Sequence, residues 1–238
     1  MNELTKNTDI QASLAAVLDQ VQASAKKAGR DPQSVQLLAV SKKKPLADIE
    51  SAWEAGQRAF GENYVDEALE KIQSWHSAHP DRDAQWHFIG SIQSRKAAAI
   101  AVHFDWVHSV DRLKVAQKLS LHRPIDRPPL SVCLQVNLDG EASKSGVSAA
   151  EVLELADQVA ELPQLQLRGL MSIPAPREGF EAQREVFREL AELLATLKAK
   201  HPQLDTLSMG MSADLDAAIA EGATLVRVGT AIFGARLS

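Results

Sequence analysis

Residues 35–45 read VQLLAVSKKKP: an apolar run of strand length that ends in Ser41, three consecutive lysines and Pro45. Proline suits the first turn of a helix and disfavours helical backbone in the residue before it, so the stretch reads as strand, short turn, helix. In an open doubly wound sheet that binds dinucleotides, the first such turn carries G-x-G-x-x-G. SKKKP stands in its place, which weighs against that architecture and leaves it the second choice.

Working outward, a leading helical pattern at about 9–28 stops at Gly29, with Asp31-Pro32 beyond it. Strand candidates lie at 35–41, 58–61, 86–89, 105–109, 131–138, 166–172, 205–208 and 224–228, with amphipathic helical patterns near 46–55, 64–75, 93–102, 112–121, 149–161, 179–199 and 213–221. Eight strands, with a helix between each successive pair, in 238 residues match the count and the length, about 250 residues, of a (β/α)8 TIM barrel. No linker, low-complexity tract or repeat divides the chain, and the Pro-rich HRPIDRPP at 122–129 reads as a loop feeding strand five. The expectation is one domain over 1–238 with an extra N-terminal helix.

Composition narrows the function. The chain is 45% hydrophobic and 24% charged, as soluble globular domains are. It has no long apolar run and no secretory layout at its start, so a cytoplasmic location is expected. A net charge of −5 with scattered lysines and arginines argues for a small partner over nucleic acid or a membrane surface. The single cysteine, Cys133, sits in LSVCLQVNL and reads as a buried thiol. No His/Cys/Asp/Glu cluster has convincing metal spacing.

In a (β/α)8 barrel the reactive groups stand at the C-terminal ends of the strands, where the βα loops share one mouth. Small residues and helix-start amides that admit an anion occur after strands seven and eight: Ser208, Gly210 and Ser212, then Gly229 and Thr230. Taken singly these are an N-cap and turn glycines; both loops together, at the strands where barrels often hold phosphate, suggest a phosphate site. A lysine facing such a site suggests a Schiff base, because an amine whose pKa is depressed by neighbouring cations can condense with a carbonyl. Lys42 shares strand parity with Leu38 and Val40, and Pro45 draws Lys44 to the helix boundary, which favours Lys42 among the three lysines. Parity leaves open which face is interior, and the competing account is a solvated turn. Arg227 lies in the apolar TLVRVG, where a buried guanidinium needs partners: a carboxylate across the barrel, or an anion or ring nitrogen of a ligand. His87 is read as a hydrogen-bonded core histidine, and Trp86, Phe88, Phe104 and Trp106 as core residues of strands three and four.

AVSKKKP, FGENYVDEALEKI, WHFIGSIQSRK, VNLDGEASKSGV, RGLMSIP, LSMGMSADLDAAI and VRVGTAIFGAR, in that order, resemble the YggS/PROSC family of pyridoxal phosphate homeostasis proteins over nearly the whole chain. The resemblance implies a single barrel related to the N-terminal domain of alanine racemases, with pyridoxal 5'-phosphate (PLP) held as an aldimine by Lys42. It further implies that Asn63 lies near the cofactor, that Ser208, Met211, Ser212, Gly229 and Thr230 surround its phosphate, and that Arg227 faces its pyridine nitrogen, weakening the ring as an electron sink. Three positions depart from the family pattern: Lys43 replaces a frequent threonine, and Ser91 and Arg95 stand where proline and asparagine are frequent.

A racemase needs acid/base groups on both faces of the cofactor, and related racemases take a tyrosine from a separate C-terminal domain. This sequence ends at Ser238 and its one tyrosine is Tyr64, so the expected function is a PLP carrier for homeostasis and delivery to apoenzymes, not an enzyme. The same reasoning favours a monomer. The alternatives are a PLP-dependent racemase or lyase with an unidentified second base, and a barrel aldolase. Lys144, in the loop after strand five, is a further candidate, as a PLP acceptor during release.

Overall fold

The computed structural model describes residues 3–140 and 145–235; Lys144 lies outside the described residues. Eight parallel strands close into a barrel in chain order, β1 pairing with both β2 and β8. They are β1 (Gln36–Val40), β2 (Ala59–Glu62), β3 (Gln85–Phe88), β4 (Trp106–Val110), β5 (Leu130–Gln135), β6 (Leu165–Met171), β7 (Thr206–Ser208) and β8 (Leu225–Val228). The helices are α1 (Glu3–Lys27), α2 (Leu46–Glu54), α3 (Val65–Ala78), α4 (Ala97–His103), α5 (Leu113–His122), α6 (Val152–Ala160), α7 (Phe180–Lys198), α8 (Leu215–Ala220) and α9 (Thr230–Phe233). The expected TIM barrel with its extra N-terminal helix is what forms, and the open sheet is excluded by the β1–β8 pairing.

Strand alternation builds two cores. Leu37 and Ala39 face outward into the large apolar layer beneath the helices, while Leu38 faces inward and packs with Ala59, Leu225 and Ile89. On the opposite wall Trp106, Cys133 and Met171 fill the interior. This settles the parity question left open by the sequence: the face shared by Leu38 and Val40 is the barrel interior. In α1, Ile10, Leu14, Val17, Val21 and Ala25 recur at helical spacing and are buried. That stripe packs on α2, α8 and α9, covering the side of the barrel where α8 and α9 are short.

Several boundaries differ from the sequence reading. α1 begins at Glu3, and β5 stops at Gln135 because the chain leaves the sheet at Val136, which makes an isolated bridge with Val147. β1 stops at Val40, so Ser41 and Lys42 belong to the turn, and Pro45 is the N-cap of α2, not its first helical residue. Phe104 follows α4 and is buried there, not within strand four.

Candidate functional site

The turn after β1 is fixed from three sides, and the fixing assigns a separate task to each lysine. The Lys44 amide donates to the Ser41 carbonyl at 3.1 Å and Lys43 takes a left-handed φ of 59°, so Ser41–Lys44 forms a tight turn. The Ser41 hydroxyl donates to Glu62 Oε1 at 2.6 Å, and Lys71 Nζ donates to the Ser41 carbonyl at 2.8 Å. Lys71 also pairs with Glu62 at 2.9 Å and Glu67 at 2.6 Å, and Glu67 accepts the Lys43 amide at 2.5 Å. Ser41 and Glu62 are both 0% exposed, so this is a buried charged clasp around the backbone that carries Lys42. Burial pushes the Glu62 carboxyl up, against the opposing pull of Lys71 and the Ser41 hydroxyl.

Lys44 Nζ donates to the carbonyls of Phe233, Gly234 and Ala235 at 2.7, 3.0 and 3.0 Å, closing the end of α9. An amine that donates three hydrogens is an ammonium and has no lone pair for chemistry. The exposed Lys43 places its Nζ 5.7 Å from the centre of the Tyr64 ring, at the outer rim. Lys42, half-buried, lies between Ser41 and Lys43 in the same turn at the C-terminal end of β1.

A second polar structure runs down the inside of the barrel. Arg227 Nη1 donates to Ser208 Oγ at 2.8 Å and Nη2 to the Ser172 carbonyl at 2.8 Å. Ser208 Oγ lies 2.7 Å from His108 Nδ1, His108 Nε2 lies 2.9 Å from His87 Nδ1, and His87 Nε2 lies 2.9 Å from Gln85 Oε1 at the barrel foot. Trp106 stacks on His87 with ring centres 5.4 Å apart and planes 2° from parallel. Burial holds His87 down at about 3 and His108 well below its usual range, so both imidazoles are neutral at pH 7. Burial lowers Arg227 to about 10, with the Asp214 carboxylate acting the other way, and the guanidinium stays cationic. Among the described residues its hydrogen bonds go to a hydroxyl and a carbonyl and to no carboxylate, so the cross-barrel ion pair is not what this arginine makes.

The loops above β2, β3, β7 and β8 complete the mouth. Asn63 Oδ1 and Ser172 Oγ are buried without a hydrogen-bond partner. The β3 loop approaches Asn63 so closely that a Cβ on Gly90 would stand 2.1 Å from the Asn63 carbonyl oxygen, which demands glycine there. Gly210 is demanded twice over, by a φ of +93° and by Ala218 Cβ at 2.5 Å from any added Cβ. The Met211 amide donates to Asp214 Oδ1 at 2.6 Å, whereas the Ser212 and Ala213 amides have no acceptor among the described residues. Ser212 and Thr230 are exposed, Met211 is 38% exposed, and Gly229 is half-buried against Val40. Ser208 differs from these neighbours: it is 0% exposed and its hydroxyl turns into the barrel toward Arg227 and His108. Ser91 and Arg95 line a cavity of about 440 Å³ beside Asn63 and Tyr64. A larger cavity, about 830 Å³, opens at the barrel foot around Gln85, and neither Lys42 nor Arg227 lines it.

A sequence profile of the family described as alanine racemase, N-terminal domain, matches residues 12–237. The chain belongs to that family. Within it, the chain is 55% identical over 229 residues to the pyridoxal phosphate homeostasis protein of Vibrio alginolyticus, covering 96% of this chain and 98% of that one. PipY of Synechococcus elongatus PCC7942, solved with PLP bound, superposes with a TM-score of 0.81 at 39% identity over 94% of this chain and 100% of PipY. Alanine racemase from Corynebacterium glutamicum shares the fold, with a TM-score of 0.68 at 16% identity over 93% of this chain and 62% of the racemase.

Family membership accounts for the barrel and the mouth, but some residues that build the mouth escaped the sequence reading. Lys71 occupies a core-facing position of α3, in register with Ala68, Ile72 and Trp75, and a lysine on an apolar stripe was the available signal. His108 shares inward parity with Trp106 in WVHSV, which was the signal for a polar group inside the barrel. Glu62 at the end of β2 and Ser172 after β6 stand at strand ends, where a barrel's reactive groups are expected, and their position was the signal; their partners were not legible. Cys133 is buried as expected, with its thiol pushed up to about 12 by desolvation. Among the described residues there is no group that would hold a metal ion and no helix long and apolar enough to cross a membrane.

Proposed function

We propose that the chain binds PLP at the barrel mouth through Lys42 and acts in PLP homeostasis, holding the cofactor reversibly and passing it to apoenzymes without substantial turnover. PLP supplies an aldehyde that condenses with a primary amine and releases water. The observation that carries the reading is the place of Lys42 in the turn that follows β1, at the C-terminal end of a strand whose Leu38 pairs in register with Arg227, while Lys44 closes the end of α9 and Lys43 stands over Tyr64.

The residues present fit this cofactor. Arg227 has five N–H donors and uses two in the bonds described, leaving donors for an unprotonated ring nitrogen. The buried orphan atoms Asn63 Oδ1 and Ser172 Oγ call for a polar partner, and the unengaged Ser212 and Ala213 amides suit an anion. Met211, Ser212, Gly229 and Thr230 would then border the phosphate. Ser208 takes part through its bond to Arg227, since its hydroxyl is already engaged. The relatives' designation as PLP homeostasis proteins, and PLP bound in PipY, support the same reading. A cytoplasmic monomer is the state in which we place this activity.

Borohydride reduction of the PLP-loaded protein followed by peptide mapping tests the assignment, with the pyridoxyl group expected on Lys42. Label on Lys43 or Lys44, or on none of the three, overturns it. Deuterium incorporation into the α-position of added amino acids separates carrier from enzyme: exchange at ordinary enzymatic rates favours the racemase or lyase.

A further inference from the structure

The buried arginine poses an electrostatic problem, because a guanidinium 4% exposed has no carboxylate bonded to it. The direction of the hydrogen bonds leading away from it supplies an answer. Arg227 can only donate, so Ser208 accepts from it. The Ser208 hydroxyl proton then has one acceptor among its described partners, His108 Nδ1. With Nδ1 accepting, neutral His108 carries its proton on Nε2 and donates to His87 Nδ1. His87 in turn carries its proton on Nε2 and donates to Gln85 Oε1. Reversing the order would leave the Ser208 proton without an acceptor, so the arginine end fixes every orientation and both tautomers.

We infer that Ser208 and His108 are positioning residues for Arg227: a one-way chain of hydrogen bonds through the barrel axis turns a lone pair toward the guanidinium at each step and holds it in one pose at the mouth. Serial dipoles of the same sense reinforce one another in a dry interior, and they take the place of the missing counterion. Gln85 ends the chain as acceptor and locks the His87 tautomer. The stack of Trp106 on His87 keeps that ring from turning. This inference deepens the PLP reading and rests on it only where Arg227 is taken to face the cofactor; the chain itself is a property of the protein alone.

The experiment has two parts. Long-range proton–nitrogen correlation on the 15N-labelled full chain without PLP, at pH 7, is expected to show His87 and His108 both neutral and protonated on Nε2. A cationic ring, or an Nδ1 proton on either, overturns the chain. With PLP loaded, Ser208→Ala is expected to shift the visible absorption band of the bound cofactor and weaken PLP binding by about tenfold, the scale of one charge-assisted hydrogen bond. Ser208→Thr, which keeps the hydroxyl, restores both, and His108→Phe behaves as Ser208→Ala does. A band and an affinity unchanged in Ser208→Ala overturn the positioning role, whatever happens to the melting temperature. If the wild-type chain takes no label on Lys42, the PLP reading falls while the nitrogen spectrum still decides the chain.

Discussion

The clasp in the barrel wall and the chain along its axis are both buried and polar, yet they are built differently. The clasp brings three ionised groups together, Glu62, Glu67 and Lys71, at 2.6–2.9 Å, and its targets are backbone: the Ser41 carbonyl and the Lys43 amide. The axial chain has one cation, two neutral imidazoles, a hydroxyl and an amide, and its target is a side chain. The turn after β1 is held by charge; the guanidinium is held by oriented dipoles, and a carboxylate on it would compete for its donors. The two therefore respond differently to deletion and with opposite signs to pH.

Breaking the clasp is expected to have the largest effect. Lys71→Met leaves Glu62 buried without its counter-charge, and stranding one partner of a buried pair costs about 3–5 kcal/mol. Replacing both, Lys71→Met with Glu62→Leu, removes the stranded charge and is expected to recover most of that loss. Urea denaturation of the three proteins checks this, and a Lys71→Met loss under about 1 kcal/mol would show the clasp to be structurally idle.

Acid separates the two groups. The folded-state pKa of His87 is about 3 against an ordinary 6.5, and His108 is depressed too. The unfolded chain therefore binds more protons below pH 6.5, and stability falls as pH drops from 6.5 toward 3, by up to about 1.4 kcal/mol per pH unit for each histidine. Glu62 acts in the other direction: its raised pKa lets the folded state hold a proton that the unfolded state has released above 4.5, so its contribution is lost as pH rises through that window. Glu62→Gln is expected to steepen the acid loss as pH falls toward 4.5, and His87→Gln to flatten it between pH 6.5 and 5. Denaturation midpoints across that range measure the slopes, and equal slopes in wild type and His87→Gln would mean that the axial imidazoles are not held neutral.

The sequence carried the barrel well because period-two and period-3.6 patterns alternate along it, and the residues at strand ends could be named from that order. Parity put Lys42 on the face of Leu38 and Val40, whereas the strand stops at Val40 and Lys42 belongs to the turn. The clasp and the axial chain were less legible for a common reason. Ser41 meets Lys71 across 30 positions, and His108 meets Ser208 across 100. Such pairings follow from barrel closure and strand register, which no local pattern encodes. Each participant also has an ordinary local explanation: Lys71 as a helix lysine, Ser208 as a phosphate-loop serine, His87 as a satisfied core histidine. Only the last of these describes what the side chain does.

Lys43 sits at the edge of the comparison and should give the smallest effect. It touches the clasp only through its backbone amide, which donates to Glu67, while its side chain lies over Tyr64. Its left-handed φ of 59° is unfavourable for a residue with a Cβ by about 1 kcal/mol, and glycine relieves that penalty. Glycine also adds backbone entropy to the unfolded chain, worth about 0.5–1 kcal/mol, and forfeits an exposed cation–π contact of about 0.5 kcal/mol. These contributions nearly cancel, so Lys43→Gly is expected to change stability by less than about 1 kcal/mol and to leave the borohydride label on Lys42. A change beyond about 2 kcal/mol, or a label that moves, would show that the Lys43 side chain takes part in holding the turn, and the clasp would then have to be extended to the rim at Tyr64.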